Sequence, residues 1–383
     1  MRHWVSVLLC LLLIGCASAP PVQRPDHLFA DHLFAPPSER IDVAEVFALS
    51  DEMKQYLRSE IGGQLRAFGR HAGLAQALTQ PNQLKLEYES AMTRTASQAF
   101  AARSGNCLSL VIMTAALAKA LDLDVQYQSA YSEETWSRSG DLYLRSGHVN
   151  ITLGRRFTAT SGMRDPAALT IDFLPPEDVR GLRTRAIGEE TVLAMFMNNR
   201  AAEALVNGRL DDAYWFAREA MVQDPNFMSA YNTLGVIYLR QHQFAQAERV
   251  LVYALARQPS NTRAMANLAL VYHAMQRGGE ASALLAQLAK IEPTPPFHYF
   301  NLGLAAMRRD DFSSARDFFA REVARADYYH EFHFWLAVAN YRLGDVTQAR
   351  KHLGLAMSAS TTKGEQALYA AKLAWLKSKQ AHH

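Results

Sequence analysis

Few residues in this chain can open an acyl bond, and three of them follow one another in its first half. Cys107 stands in Arg103-Ser-Gly-Asn-Cys-Leu-Ser-Leu-Val111, His148 opens HVNITL, and Asp172 lies within ALTIDF. A thiolate attacks carbonyl carbon, an imidazole carries the proton near neutral pH, and a carboxylate holds the imidazole in one tautomer. Between residues 40 and 186 the histidines are His71, in the helical front part, and His148. Asp172 interrupts an apolar strand, where a carboxylate is costly unless partnered. Rival chemistries lack their patterns: there is no GxSxG, HExxH or P-loop. His330-Glu-Phe-His333 sets two imidazoles three apart without a nearby third ligand, so these side chains are expected to face groove or solvent. No cofactor and no metal is expected.

The elements around these residues must place them. From Leu108 to Leu121 only Ser109, Thr114 and Lys119 are polar, so the spacing predicts a helix buried on nearly every side. Ser104, Gly105 and Asn106 precede it and suit a helix start, which puts Cys107 in the first turn. There the helix dipole favours a thiolate, and a backbone N–H faces a developing oxyanion. IDVAEVFALSDEMKQYLRSEI and LKLEYESAMTRTASQAFAAR read as helices, and VQYQSAY, HVNITL and ALTIDF as strands. Residues 40–186 therefore read as an α+β domain with a mainly antiparallel sheet.

Five segments of this region, Thr93-Arg-Thr-Ala-Ser-Gln-Ala-Phe100, Gly105-Asn-Cys-Leu-Ser109, Ala118-Lys-Ala-Leu-Asp-Leu123, His148-Val-Asn150 and Ile171-Asp172-Phe173, resemble the transglutaminase-like superfamily, relatives of the papain-like cysteine proteases. The resemblance covers roughly residues 80–176 and implies Cys107 as nucleophile, His148 as base and Asp172 as orienting acid. It implies an acyl-enzyme resolved by water, as in a peptidase or amidase, or by an amine, as in a transglutaminase. Asn106-Cys107-Leu108 departs from the Gln-Cys-Trp of the calcium-dependent enzymes, so calcium is not inferred. Trp136, Gln98 and Asn106 are the candidates for a second oxyanion donor.

The second half is periodic. Pro225, Pro259 and Pro293 recur every 34 residues, as do Ala213, Ala247, Ala281, Ala315 and Ala349. YNTLGVIYLRQHQFAQAERVLVYALARQP resembles a tetratricopeptide repeat, with Gly235 and Ala247 small where paired helices cross. Five repeats start near residues 194, 228, 262, 296 and 330 within a solenoid over 187–363, closed by a capping helix and tail over 364–383. The expected fold is thus an α+β transglutaminase-like domain followed by an all-α solenoid. The resemblance implies a concave face formed by the first helices, with Phe297, Phe300, Met307, Phe334 and Tyr341 lining a peptide groove. Arg240, Arg308 and Arg342 share one repeat position and would flank that groove with basic groups.

Residues 1–16, MRHWVSVLLCLLLIGC, form a signal peptide whose Leu13-Ile14-Gly15-Cys16 resembles a bacterial lipobox. That resemblance implies a lipidated Cys16, anchorage to membrane, and a periplasm-facing place in the cell envelope; Ala17 points to the outer membrane. Cys107 is then the mature chain's one free thiol, in an oxidising compartment. Residues 17–39 are proline-rich, contain DHLFA twice in tandem, and read as a tether in which His27 and His32 form no site. With 40 Lys+Arg against 37 Asp+Glu, nothing favours nucleic acid as a partner. The leading expectation is a lipid-anchored cysteine enzyme whose repeats bind a protein or peptide. The alternative is a repeat scaffold carrying a degenerate catalytic domain.

Overall fold

The computed structural model describes residues 24–79, 84, 86–90, 92–139, 142–154, 168–173 and 183–380. Cys16 and residues 17–23 of the tether lie outside these described residues. The front part is more broken than its sequence suggests. The helix expected over 41–61 starts only at α1 (Asp51–Gln55), capped by Ser50, and runs into a π turn over Tyr56–Glu60. Helices α2 (Gly62–Phe68) and α3 (Arg70–Thr79) follow. Among the described residues of 84–103, only α4 (Ala96–Ala102) is helical, because Thr95 and Gln98 form a reciprocal capping box that starts it. Upstream of that box, β1 (Glu87–Tyr88) instead pairs in parallel with β2 (Ser104–Gly105).

Helix α5 (Cys107–Ala120) is buried from Leu108 through Ala118, as its nearly unbroken apolar sequence requires. It packs beside an antiparallel sheet of order β5-β4-β3-β6. In it β3 (Val125–Ser139) and β4 (Leu142–Leu153) form a hairpin, with β5 (Leu169–Ile171) on β4 and β6 (Arg183–Ile187) on β3. His148 therefore stands inside its strand rather than at its start. Both faces of β4 are covered: Val149, Ile151 and Leu153 are buried, and so are His148, Asn150 and Thr152. On the polar face Thr152 is satisfied across the sheet, its Oγ1 accepting from Gln128 Nε2 at 2.7 Å and lying 2.8 Å from Thr170 Oγ1.

The remaining described chain is helical. Five antiparallel pairs, α6 (Glu189–Val206) with α7 (Leu210–Gln223), α8 (Met228–Arg240) with α9 (Phe244–Arg257), α10 (Thr262–Ala274) with α11 (Gly278–Ile291), α12 (His298–Arg308) with α13 (Phe312–Arg325), and α14 (His330–Arg342) with α15 (Val346–Ala359), precede α16 (Lys363–Gln380). Close crossing explains the glycines of two pairs: a Cβ on Gly235 would stand 2.7 Å from the Leu251 side chain, and one on Gly303 2.4 Å from Phe319. The apolar core is not continuous along the array. One cluster runs from the N-terminal segment to Val271, and a separate one begins at Phe297. Between them α11 buries only Ala281.

The proline-rich segment is not a free tether over residues 24–39. Leu28, Ala30 and Phe34 are buried, and the Phe34 ring stacks on Tyr214 at 3.9 Å. The Tyr214 hydroxyl accepts from the Ala30 N–H and bonds Asp31, while the Tyr238 hydroxyl donates to the Leu28 carbonyl at 2.9 Å. Farther along, Asp212 accepts from the Ser38 N–H and hydroxyl, and Arg200 pairs with Glu39 at 2.8 Å. Two Leu-Phe pairs carry too much apolar surface to stay solvated beside an aromatic helix face. Even His27, expected to be idle, packs edge-on against Tyr253.

Candidate active site and repeat surface

Cys107 is the first residue of α5, and Asn106 is its N-cap in extended backbone conformation. The Asn106 carboxamide accepts from the Ser109 N–H at 2.9 Å and the Ser109 hydroxyl at 2.8 Å, and its Nδ2 donates to Thr93 Oγ1 at 2.9 Å. These bonds point the amide back into its own helix, away from an oxyanion role. Gln98 is likewise committed, accepting from the Thr95 N–H at 3.1 Å. Trp136 lies on β3, with its side chain outside what is described. The Cys107 thiol is partly exposed, and its Sγ lies 3.8 Å from the Gly147 carbonyl, next to His148 in the chain.

His148 and Asp172 meet. The imidazole Nε2 lies 2.8 Å from both carboxylate oxygens, and Asn150 Nδ2 donates to Oδ2 at 3.1 Å. Asp172 sits one residue past the end of β5, where the registry Ile151 to Ile171 brings it beside β4. The other ring nitrogen, Nδ1, is buried and has no hydrogen-bond partner meeting ordinary geometry. Burial works against the imidazolium. The hydrogen bond that the ring donates to Asp172, then the hydrogen bonding and charge of the neighbouring Cys107, then the Asp172 charge outweigh it and raise His148 from 6.5 to about 9. Tyr88, 42% exposed on β1, pairs with Gly105 two residues ahead of Cys107, and its hydroxyl is pushed well above its ordinary value by desolvation and by the nearby Cys107 and Glu89 charges. His71, in α3, has no recorded bond to this group. Tyr88 and Thr93 escaped sequence reasoning because the segment that carries them reads as helix, which would aim both elsewhere.

The groove expected over the last repeats is overturned for its central members. Phe297 is 1% exposed and Phe300 fully buried, in a cluster with Phe319, Tyr329 and Phe332. Pro295 and Pro296 delay α12 until His298, so Phe297 adopts a left-handed φ of 61° and turns inward. Phe334 packs on Tyr369 of α16 at 5.5 Å, and Tyr341, although 39% exposed, lies edge-on to Trp375 of the same helix. Met307 packs against the Phe297 cluster. Arg342 lies over the Phe312 ring at 4.1 Å and faces Asp310, while Arg240 and Arg308 are exposed near their helix ends. The two expected groove histidines are also interior. His333 Nδ1 lies 3.1 Å from His352 Nδ1, and His330 bonds the Tyr369 hydroxyl at 2.7 Å and Glu365 at 3.2 Å. Among the described residues no group of three or more His, Cys, Asp or Glu could hold a metal ion. No helix among them is long and apolar enough to cross a membrane.

Comparison with known proteins bears on the helical half. Two tetratricopeptide-repeat family models match residues 238–302 and 298–359. A TPR repeat-containing protein of Pseudomonas aeruginosa, PA4667, is 26% identical over 205 residues, covering 51% of this chain. The chain spans 32% of that relative's length. Among solved structures, the thermophilic TPR protein TTC0263 of Thermus thermophilus is similar at 19% identity over 47% of this chain and 98% of its own, with a TM-score of 0.31. Pseudomonas aeruginosa PilF is similar at 18% identity over 51% of this chain and 88% of its own, again with a TM-score of 0.31. Residues 238–359 are tetratricopeptide repeats, an architecture that generally binds proteins or peptides.

Proposed function

We propose that this is a lipid-anchored envelope protein in which a tetratricopeptide-repeat array serves a cysteine acyl-transfer site of the transglutaminase-like kind. The observation carrying the reading is the imidazole of His148: one nitrogen is fixed on Asp172, and the other is buried, with Cys107 near enough to raise the pKa of the ring. In this reading the Cys107 thiolate attacks an amide or peptide carbonyl, and the carbonyl π electrons move onto oxygen. Collapse of the adduct breaks the C–N bond, His148 gives its proton to the leaving amine, and an acyl-enzyme remains. Water or a second amine, deprotonated by His148, then releases the acyl group. Asp172 keeps the imidazole in the required tautomer throughout. The chain would be tethered through Cys16, facing the periplasm from the outer membrane, with the repeats recruiting the protein that is cut or joined.

A second reading, a non-catalytic repeat scaffold, is favoured by the comparisons, which match the repeats. Iodoacetamide separates the two. In the catalytic reading Cys107 is alkylated rapidly well below pH 8, His148→Ala slows this, and envelope extract leaves an acyl adduct on Cys107. Alkylation at the rate of a free thiol, unchanged by His148→Ala, would leave the scaffold standing.

A further inference from the structure

The repeat array and the candidate nucleophile are joined by a short buried relay. Glu203, on α6, accepts the Thr93 N–H at 2.7 Å through Oε1. Thr93 Oγ1 accepts from Asn106 Nδ2 at 2.9 Å and from Asn199 Nδ2, also on α6, at 3.3 Å. Asn106 is the residue whose side chain caps α5, and Cys107 is next in the chain. The far end of the relay is closed too, because the Ser109 hydroxyl that bonds Asn106 accepts from the Arg94 N–H at 2.8 Å. Thr93 is 2% exposed and Ser109 fully buried, so water does not substitute for these partners. Arg200 holds Glu203 in turn at 3.1 Å and ties it to Glu39 of the docked N-terminal segment.

An asparagine cap works only while its carbonyl oxygen points at the helix N–H groups. The amide can rotate, and what fixes its sense here is the bond from Nδ2 to Thr93. Thr93 is in turn placed by two side chains of the first repeat helix. We infer that α6 supplies a positioning residue, Glu203, which acts through Thr93 on the Asn106 cap and so sets the orientation and charge state of the Cys107 thiol. This rests on the reading of Cys107 as a nucleophile. It assigns the first repeat a task at the acyl-transfer site in addition to any binding surface that it offers. Burial raises the pKa of Glu203 against the hydrogen bonds from Thr93 and the influence of Arg200, as expected of a carboxylate held for its acceptor oxygen.

The test is the alkylation rate of Cys107 by iodoacetamide from pH 6 to 9, on the full mature chain, alongside the thermal unfolding curve. Glu203→Ala is expected to slow alkylation near pH 7 by about fivefold and to move the rate profile to higher pH, the scale of a lost helix cap. Glu203→Gln keeps the acceptor oxygen and should restore the rate to within about twofold of wild type, whereas an effect of lost charge alone would not be rescued in this way. Thr93→Val leaves the backbone donor in place, removes the hydroxyl, and should reproduce the slow profile even if Glu203→Ala fails to fold. Wild-type rates and profiles in folded Glu203→Ala and Thr93→Val would overturn the inference. An inert thiol in the wild type would instead sink the nucleophile reading itself, and this would be visible before any variant is made.

Discussion

The Asp172→Asn substitution keeps the shape of the orienting group and removes its charge. With both carboxylate oxygens 2.8 Å from Nε2, the pair favours the imidazolium of His148, whose pKa rises from 6.5 to about 9 despite burial. At about 1.4 kcal/mol per pH unit, the raised value corresponds to about 3 kcal/mol of preference for the charged ring, shared between Asp172 and Cys107. Asparagine should therefore bring the imidazole titration down by more than one pH unit, read by NMR on ring-labelled protein. Stability follows the same linkage: a raised histidine pKa stabilises the fold fully below pH 6.5 and ceases to do so as pH rises through about 9. The denaturation difference between wild type and Asp172→Asn should be largest near pH 6 and shrink above pH 9. An unmoved titration, or a difference that grows with pH, would refute the assignment of Asp172 as the dominant favourable partner.

Three further outcomes are expected. Phe34→Ala should destabilise the protein by about 3 kcal/mol, the low end for a buried phenylalanine because the docked segment can relax, and should expose residues 24–39 to limited proteolysis. Gly303→Ala should cost about 1–3 kcal/mol in chemical denaturation, since its Cβ would overlap Phe319, whereas Gly278→Ala, with nothing within 4 Å, should be neutral or mildly stabilising. Burial, then the charges of His333 and Lys351, lower His352 to about 4, so the fold should lose stability as pH falls from 6.5 toward 4; His352→Phe should flatten that acid loss in a urea series.

The repeats were legible because a residue pattern returning every 34 positions reports packing between neighbours, as at Gly235 against Leu251. His148 and Asp172 were legible as types on successive strands, and the register of β4 with β5 makes them neighbours. What failed was non-local or broke the period. Nothing in DHLFA announces that Tyr214 and Tyr238, some two hundred residues away, will hold its backbone. Phe297 and Phe300 were counted onto an open face, but Phe297 lies in a left-handed turn ahead of α12 and Phe300 packs between Phe319 and Phe332, aromatic neighbours that the repeat numbering does not carry. Glu203 has the look of a solvated helix residue until Thr93 is placed against it.

The division of the apolar core also governs how the molecule comes apart. In a solenoid, cooperativity passes only through interfaces between neighbouring repeats, and α11 buries little but Ala281 at the boundary. The first core joins the N-terminal domain, the docked segment and repeats one to three, whereas Phe297 onward relies on its own aromatic cluster and the capping helix. Among the described residues the links from the far end back to the front are small: Ser90 with Thr361 at 2.7 Å and the exposed pair Glu87–Lys363 at 3.0 Å. Thermal or urea unfolding should accordingly resolve into two transitions, one per core. A substitution at Phe34 would then move one midpoint and a substitution at Gly303 the other, so that a single melting temperature for the whole chain has no thermodynamic meaning.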